Sequence, residues 1–416
     1  MTFPTQDQIR ALQAEFGTPL YVYDQSSLER AAGEVLGFPN AYGLTARYAM
    51  KALSTGAIIR VLAQAGLHID ASSGYEAERA IRAGVAPERI QITAQQLPAD
   101  LKGLVERGVG FNACSLRQLQ AFGQIFPGRE ISVRINPGLG SGHNNRTNVG
   151  GPSSSFGIWH EHLDEVLALQ REFDLRLTGM HTHIGSGSDP VVWERCARMS
   201  LDIAAQLPGV QRLSLGGGFK VARAEGETPT DLQAIGRALL PDFEAFADAH
   251  GRELHLEIEP GTYLVANAGW IVASVIDVVD TGANGYRFIK TDTGMTELLR
   301  PNLYGAQHPI EIVPADGDEN REISDYLVAG HCCESGDVIT PRPGDPEGLL
   351  PRELAAPQVG DALVIGGAGA YCSSLAGKNY NSFPEAAEVL ISRDGTPRLV
   401  RRRQTLDQML ANEVLD

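Results

Sequence analysis

The chain has 416 residues, of which 43% are hydrophobic and 21% are charged, a composition that is normal for a soluble globular protein. This length exceeds that of one ordinary compact core, so we expect two domains. The formal net charge of −16 argues against nucleic acid or an anionic membrane surface as the main partner.

Targeting signals and cysteine usage indicate the compartment. No apolar run reaches the ~18 residues of a membrane helix, and Met1–Arg10 lacks the basic start and apolar core of a secretory signal. The five cysteines are scattered and odd in number, which is not the pattern of a disulfide framework. We therefore expect a cytoplasmic protein with reduced thiols. The adjacent Cys332 and Cys333 lack CxxC or HxxxH spacing, so no metal site is expected.

Short apolar runs alternate with helical stretches from about residue 45 to residue 262, and we expect residues 25–268 to form one domain. The expected strands are Arg47–Ala52, Leu67–Ala71, Arg89–Thr93, Val109–Ala113, Ile131–Asn136, Leu175–His183, Arg212–Leu215 and Leu254–Glu259. The segments between most of them have a period near 3.6, and several begin with a cap residue: Ser54, Ser115 and Thr230 or Asp231. This alternation favours a (β/α)8 barrel, although a doubly wound open sheet has the same periodicity.

The pattern changes after Gly269, and residues 269–416 are typical of an antiparallel β domain. The expected strands are Trp270–Val279, Arg287–Thr291, Pro309–Val313, Tyr326–Gly330, Ala362–Ile365, Glu388–Ser392 and Arg398–Arg401. Pro341–Pro357 has the composition of an exposed loop, and no helix is expected before the tail, Thr405–Val414. Leu20–Tyr23, within an N-terminal segment of residues 1–24, is a further strand that we expect to join this domain.

Four features fall where the barrel strands end, which is where barrel enzymes place their chemistry. Lys51 ends the first strand and His183 the sixth, the triple glycine Gly216–Gly218 follows the seventh, and Glu259 ends the eighth. A desolvated lysine amine can attack a carbonyl and form a Schiff base. A buried carboxylate such as that of Glu259 needs a cationic partner, and a protonated pyridine nitrogen would serve.

Each of these features also has an ordinary structural interpretation. Lys51 fits a surface lysine at a strand end, Glu259 a structural salt bridge, and His183 a core histidine. Gly216–Gly218 would expose backbone N–H groups to a phosphate, but it fits a plain tight turn equally well. Their convergence on one barrel mouth, rather than any single residue, favours a functional site.

Short motifs follow one another along nearly the whole chain. They are Tyr48-Ala-Met-Lys51, His183-Ile-Gly-Ser186, Gly216-Gly-Gly218, Glu259-Pro-Gly261, Arg300-Pro-Asn-Leu-Tyr304-Gly, Cys333-Glu-Ser-Gly-Asp337, Gly369-Ala-Tyr371 and Asn379-Tyr-Asn-Ser382. In this order they resemble the alanine-racemase-fold, pyridoxal-phosphate (PLP) dependent decarboxylases, most closely the diaminopimelate decarboxylase branch. The resemblance implies an α/β protein with a (β/α)8 barrel and a C-terminal antiparallel β domain joined by an N-terminal strand.

The resemblance also implies residue roles around a PLP cofactor. Lys51 would bond to the cofactor, Glu259 would hold its pyridine nitrogen, and His183 would stack on its ring. The residues implied near the phosphate are Ser186, Gly216, Gly217, Gly218, Gly261 and Tyr371. Those implied at the substrate are Arg300, Tyr304, Glu334 and Tyr371. Cys333 is implied as the catalytic proton donor, and Cys333 and Glu334 would come from the partner subunit of an obligate homodimer.

One position departs from the family pattern. The family usually has an arginine after Glu-Pro-Gly that binds a substrate carboxylate, whereas this chain has Thr262. A threonine hydroxyl cannot replace a bidentate guanidinium. Either Arg300 and another cation, for which Arg146 is a candidate, bind that carboxylate, or the substrate lacks it.

Several functions follow from the resemblance. The first is decarboxylation of meso-2,6-diaminopimelate to L-lysine and CO2, the last step of lysine biosynthesis. Thr262 gives some weight to a related substrate: ornithine, lysine, arginine or carboxynorspermidine. An amino-acid racemase is disfavoured by Glu259, because racemases of this fold place an arginine at the pyridine nitrogen. A non-enzymatic PLP carrier of the barrel-only type is disfavoured by the long β domain.

Overall fold

The computed structural model describes residues 4–139, 150–183, 185 and 187–414. The chain divides into two compact units, which we call the β unit and the barrel unit. The β unit consists of Met1–Leu28, Ala222–Glu227 and Val265–Asp416, and the barrel unit of Glu29–Val221 and Thr228–Leu264. Among the described residues no helix is both long and apolar enough to cross a membrane.

The chain begins with a capped helix and a buried strand, α1 (Gln6–Phe16) and β1 (Leu20–Asp24). Thr5 forms a capping box with Gln8, so each side chain accepts from the other residue's backbone N–H. Ile9 and Leu12 on the buried face of α1 pack into the core of the β unit with Leu20 and Val22 of β1.

Helices and strands then alternate. They are α2 (Gln25–Leu36), β2 (Leu44–Ala49), α3 (Gly56–Gln64), β3 (His68–Ala71), α4 (Gly74–Arg82), β4 (Ile90–Thr93), α5 (Leu101–Glu106), β5 (Gly110–Ala113), α6 (Leu116–Ile125), β6 (Glu130–Asn136), β7 (Ile158–Trp159), α7 (Leu163–Glu172), β8 (Arg176–His181), α8 (Pro190–Ala205), β9 (Arg212–Ser214), α9 (Leu232–His250), β10 (His255–Ile258) and α10 (Thr262–Val265).

These strands form a closed parallel barrel. The strand order is β5-β4-β3-β2-β10-β9-β8-β6, and the pairing of β5 with β6 closes the ring of eight within the described residues, with β7 added beside β6. Ser73, Ser115 and Asp231 cap α4, α6 and α9 by accepting a backbone N–H of the first turn. The predicted (β/α)8 barrel is confirmed, and the open-sheet alternative is wrong.

The β unit continues after Val265. Its further elements are β11 (Gly269–Asp280), β12 (Arg287–Thr291), α11 (Arg300–Tyr304), β13 (Ile310–Val313), β14 (Ile323–Ala329), β15 (Pro341–Arg342), β16 (Asp345–Leu349), β17 (Arg352–Ala355), β18 (Ala362–Ile365), β19 (Ala387–Ile391), β20 (Pro397–Arg401) and α12 (Leu406–Leu410).

One mixed, mainly antiparallel sheet dominates the β unit. Its order is β17-β14-β12-β11-β1-β19-β20, with β18 paired to β11 and β13 paired to β18. The N-terminal strand β1 pairs antiparallel with β11 and parallel with β19, as expected for Leu20–Tyr23. The pairing of β12 with β14 is also parallel. The predicted fold class is therefore confirmed.

Four local predictions were wrong. The N-cap residue of α3 is Thr55, not Ser54. The Pro341–Pro357 segment is not a plain loop: it forms the β15–β16 hairpin and the strand β17, which pairs with β14. Gly344, at φ +74°, supplies the hairpin turn. Because the segment is rich in turn-forming residues, its very short strands could not be recognised from composition. The chain also forms the helix α11 well before the tail. The first barrel strand ends at Ala49, and a 3-10 turn, Met50–Ala52, follows it.

Candidate active site

Lys51 lies on the 3-10 turn directly after β2, and its side chain is exposed. The turn is attached to the end of the last barrel strand. The backbone N–H of Ala49 donates to the carbonyl of Pro260 at 3.1 Å. A Cβ on Gly261 would stand only 3.2 Å from the carbonyl oxygen of Ala49. The first and eighth strand ends therefore meet closely, and a glycine permits that approach.

Glu259 follows β10 and is 6% exposed. Its Oε2 lies 3.0 Å from His181 Nε2, and its Oε1 accepts a 3.0 Å hydrogen bond from Ser214 Oγ. Burial alone would raise the pKa of the Glu259 carboxyl. The attraction and hydrogen bond of His181, together with the hydrogen bond of Ser214, outweigh burial and lower the pKa of the Glu259 carboxyl below its ordinary value. The carboxylate therefore stays ionised.

His183 lies two residues beyond the end of β8. Burial and the neighbouring charges of Arg134 and Lys51 hold the pKa of His183 well below its ordinary value, so the ring is neutral near pH 7. Its Nδ1 is buried and has no hydrogen-bond partner among the described residues. A Cβ on Gly216 would lie 2.5 Å from that nitrogen, so the imidazole rests directly on the glycine turn.

The triple glycine packs against the end of the eighth strand. A Cβ on Gly217 would stand 2.2 Å from the carbonyl oxygen of Glu259, which no side chain could tolerate. Gly218 has φ +105°, a conformation that glycine adopts readily. Within the described part of the chain, the backbone N–H groups of Gly217, Gly218 and Gly261 donate to no acceptor. Ser186 and Arg146, the other expected anion-binding residues, lie outside the described residues.

Two charged residues at this end of the barrel were not singled out from the sequence. Asp70 of β3 is 4% exposed, and its Oδ1 has no partner among the described residues. Burial and then the charge of Glu259 raise the pKa of Asp70 to about 8, while Lys51 opposes the shift. Arg134 of β6 is 7% exposed and lies over the ring of Phe156. Both residues could have been found from the sequence, because a charged residue inside an apolar strand is costly unless it has a partner or a function.

In the β unit, Arg300 begins α11 and contacts a buried histidine. Its Nη1 lies 2.7 Å from Nε2 of His308. Because a guanidinium only donates, Nε2 accepts, and the Nδ1–H of His308 donates to the carbonyl of Gly366 at 2.8 Å. Burial, Arg300 and Arg223 hold the pKa of His308 well below its ordinary value, which agrees with a neutral ring. Tyr304, at the end of α11, is half-buried.

Cys333 and Glu334 are exposed at the tip of a loop that buried Asp337 fixes. The Asp337 carboxylate accepts from the backbone N–H groups of Cys332, at 2.9 Å, and Met295, at 2.7 Å. A Cβ on Gly330 would stand 2.1 Å from that carboxylate, so the loop folds tightly around it. The loop thus presents the thiol and the carboxyl outward from a fixed base.

The Asn379–Ser382 segment supports the same loop. Asn381 Oδ1 accepts the backbone N–H of Cys333 at 2.7 Å. Asn379, Asn381 and Ser382 have φ values of 59°, 51° and 60°, a run of left-handed residues that costs free energy unless its surroundings hold it. Tyr371, at φ 56°, is similarly constrained. The motif was recognisable in the sequence, but only the structure shows that it supports the backbone of Cys333.

The barrel sequence matches a known family along more than half of the chain. Residues 32–266 match the model described as "Pyridoxal-dependent decarboxylase, pyridoxal binding domain". The Streptomyces coelicolor "Diaminopimelate decarboxylase" is 38% identical, and the match covers 98% of this chain and 92% of that protein. The chain belongs to the diaminopimelate decarboxylase family of pyridoxal-dependent decarboxylases. The predicted family, enzyme class and PLP cofactor are therefore confirmed.

Other members of the diaminopimelate decarboxylase family agree. The protein of that name from Escherichia coli K12 is 36% identical over 99% of this chain and 97% of its own length. A crystal structure of a diaminopimelate decarboxylase matches with a TM-score of 0.91 at 36% identity, covering 98% of this chain and 96% of that one. A Vibrio vulnificus lysine/ornithine decarboxylase, at 21% identity and a TM-score of 0.74, shares the fold.

Proposed function

We propose that this protein decarboxylates meso-2,6-diaminopimelate to L-lysine and CO2. The observation that carries the proposal is similarity along the whole chain, at 36–38% identity, to proteins named diaminopimelate decarboxylase. The Vibrio vulnificus lysine/ornithine decarboxylase, at 21% identity, is less similar to this chain than these proteins are. The reaction belongs to lysine biosynthesis.

The barrel unit offers the groups that PLP requires. Bound PLP supplies a protonated ring that accepts the electron pair of the broken Cα–carboxylate bond. The ionised Glu259 carboxylate suits the pyridinium nitrogen, and neutral His183 suits the face of the ring. The N–H groups of Gly217, Gly218 and Gly261, which donate to no acceptor among the described residues, suit the phosphate. The family resemblance also implies Gly216 and Ser186, and Tyr371 from outside the barrel unit. These features support the fit between the residues and the cofactor.

Lys51 is the residue that would hold the cofactor, through its side-chain amine, and that amine would make way for the amine of the substrate. The exposed position of Lys51 on a turn, rather than inside β2, gives its side chain room to leave and return. Glu259 stays ionised throughout because its hydrogen bonds to His181 and Ser214 are independent of the substrate. Fixed hydrogen bonds of this kind keep a charge in place at no reorganisation cost during the reaction.

The family resemblance implies further residues for the two charged ends of the substrate. Arg300, held by His308, and Tyr304 bind the distal carboxylate through charge-assisted hydrogen bonds, and Tyr371 assists them. Glu334 binds the distal ammonium. Cys333 donates the proton that Cα receives after CO2 has left.

We also propose a homodimer in which Cys333 and Glu334 act in the site of the partner subunit. Both side chains are exposed on a loop with a fixed base, which supports a role towards a second copy of the chain. All five cysteines are free, which supports a reducing cytoplasmic location. Fractionation of cells that express the protein tests the location.

Cofactor binding and substrate choice are tested on the purified protein. The wild type should absorb near ~420 nm when loaded with PLP, and Lys51→Ala should lack that band. Among meso-diaminopimelate, LL-diaminopimelate, ornithine, lysine and arginine, CO2 should come from the meso isomer with the highest kcat/KM. Preferred release from a monocarboxylic amino acid, or racemisation without CO2 release, would contradict the proposal.

Mixing two inactive variants tests the shared site. Dissociating and re-mixing equal amounts of Lys51→Ala and Cys333→Ala should restore about 25% of wild-type activity, because half of the dimers then hold one intact site. Lys51→Ala mixed with Glu259→Gln is the control, since both residues belong to one barrel and no intact site can form. Equal activity in the two mixtures would refute the sharing of Cys333.

A further inference from the structure

Three groups that can carry positive charge gather around one glycine turn of the β unit, Gly366–Gly367. His308 donates to the carbonyl of Gly366 at 2.8 Å, and Arg300 Nη1 donates to Nε2 of His308. Arg223 Nε donates to the carbonyl of Gly367 at 3.1 Å. We call Arg223, Arg300 and His308 the cationic cluster.

Arg223 comes from a short segment of the chain, Ala222–Glu227, that is far in sequence from the rest of the β unit. A Cβ on Gly367 would stand 3.0 Å from Cδ of Arg223, so the aliphatic part of the arginine lies flat against the turn. The carboxylate of Glu227 accepts the backbone N–H of Arg223 at 2.7 Å, which fixes the segment. The backbone of Arg223 is therefore held by Glu227 and its side chain by the Gly366–Gly367 turn, which together fix the position of the guanidinium.

The cluster lacks a carboxylate partner within the described residues. No Asp or Glu oxygen there forms an ion pair with Arg223 or Arg300, although buried or half-buried arginines elsewhere do so, as Arg321 does with Asp361. Cys372, the buried neighbour of both arginines, is a neutral thiol, because burial raises its pKa to about 11. Burial and the repulsion of Arg300 lower the pKa of Arg223, yet a guanidinium does not lose its proton in proteins. The nearby charge of Glu227 opposes this shift, but its carboxylate binds backbone N–H groups and forms no ion pair with the guanidinium. Two adjacent guanidiniums without an ion-pair partner among the described residues favour an anionic ligand.

The pattern of used and unused donors indicates the shape of that anion. The Nε–H of Arg223 donates to the Gly367 carbonyl, and both terminal nitrogens have no acceptor among the described residues. Nη1 of Arg300 donates to His308, and Nε and Nη2 of Arg300 stay available as donors to a ligand. Each guanidinium thus keeps a pair of N–H donors, and paired donors match the two oxygens of a carboxylate.

We propose that Arg223 is a specificity-determining residue that, beside Arg300, binds the distal carboxylate of a dicarboxylic diamino acid. This inference rests on the proposed function. It supplies the second guanidinium that is absent at position 262, where the chain has threonine. Because Arg223 touches the end of the substrate that does not react, its loss acts on binding rather than on the chemical step.

The test compares ligands that have and lack this carboxylate. Arg223→Gln should raise KM for meso-diaminopimelate about 10- to 100-fold, as expected for the loss of charge-assisted hydrogen bonds, with kcat changed less than about 3-fold. Arg223→Lys should give an intermediate KM. L-lysine, which keeps the distal carboxylate, should lose inhibitory strength by the same factor as KM. Inhibition by 1,5-diaminopentane, which has no carboxylate, should stay unchanged.

A matched control and a cofactor titration distinguish carboxylate binding from phosphate binding and from a general loss of packing. Arg403 is a half-buried arginine of the same unit that also donates to a carbonyl, that of Pro19, and Arg403→Gln should leave KM unchanged. If Arg223→Gln instead weakened PLP binding and left KM and L-lysine inhibition intact, the cluster would bind a phosphate and the proposal would be wrong. Unchanged KM and unchanged PLP affinity would also overturn it.

The failure of the proposed function gives a different result. In that case the wild type would release no CO2 from meso-diaminopimelate. Binding of L-lysine and 1,5-diaminopentane to PLP-loaded protein, followed by the shift in its absorbance, would still test Arg223. A loss of L-lysine binding in Arg223→Gln, together with unchanged 1,5-diaminopentane binding, would uphold the carboxylate assignment. Equal effects on both ligands would overturn it.

Discussion

Replacing Gly217 by alanine tests whether the glycine turn sets the position of Glu259. A Cβ at this position would stand 2.2 Å from the Glu259 carbonyl oxygen, and ordinary contact begins at 3.4 Å. One of the two backbones must therefore move by about 1.2 Å. The carbonyl belongs to the residue whose carboxylate is proposed to hold the pyridine nitrogen, so the movement reaches the reacting group directly.

The size of the effect follows from that displacement. A misplacement of about 1 Å in a catalytic group can reduce the rate about 100-fold, which corresponds to about 2.7 kcal/mol of transition-state stabilisation. We expect kcat/KM for CO2 release from meso-diaminopimelate to fall by about this factor. PLP affinity, measured by titrating the cofactor-free protein and following absorbance, should fall as well, because the N–H of Gly217 moves with the turn.

Gly33→Ala is the matched control. Gly33 lies inside α2. Beyond the backbone of its own helix, no atom of the described residues lies within 4 Å of the place that a Cβ would take, so alanine fits and should stabilise the helix by about 0.5–1 kcal/mol. Thermal unfolding of both variants checks that they fold. If Gly217→Ala folded with wild-type kcat/KM and PLP affinity, the turn would not position Glu259, and this account of the triple glycine would fail.

Three further predictions concern pH, packing and the Cys333 loop. The pKa of Asp70 is raised in the folded protein, so the unfolded chain ionises this group at lower pH and the folded state loses stability as pH rises from about 4 towards about 8. Asp70→Asn should therefore raise the Tm of the cofactor-free protein, by a margin that grows across this pH range. A margin that stays constant with pH would contradict the prediction. Phe219 stacks on Trp193 at 4.5 Å, and Phe219→Ala should cost about 3–5 kcal/mol in urea unfolding, with Phe219→Leu costing clearly less. In Asn381→Gly, the glycine can adopt the left-handed backbone, but the acceptor for the Cys333 N–H is lost. We expect kcat to fall about 10-fold, in line with the ~1.5 kcal/mol of a hydrogen bond, while the PLP spectrum stays unchanged. An unaltered kcat would show that Asn381 does not support the Cys333 loop.

Periodicity in the sequence predicted the architecture because buried parallel strands are apolar runs between amphipathic helices. Leu256 and Ile258 of β10, for example, are both buried, and Leu20–Tyr23 was recognisable as a strand for the same reason. The strands of the Pro341–Pro357 segment were missed because they are only two to five residues long and partly exposed. Their pairing, rather than their composition, makes them strands.

The site was predicted only as far as single residues carry a signal. Lys51, His183, Gly216–Gly218 and Glu259 stand at strand ends, and their place is visible in the order of the chain. The environment that gives Glu259 its charge, His181 and Ser214, depends on which strands are neighbours in the closed barrel. Arg223 illustrates the limit most clearly, since a loop arginine has no periodicity and acquires its partners only through the fold.

The hydrogen bond from Ala49 to Pro260 has a consequence for how the protein is made. It joins segments that lie more than two hundred residues apart, at the seam between the first and last strands of the ring. A ribosome must release nearly the entire barrel before this seam can close, and contacts of such long range form slowly. A nascent or truncated chain that ends before β10 therefore cannot close the ring and lacks Glu259.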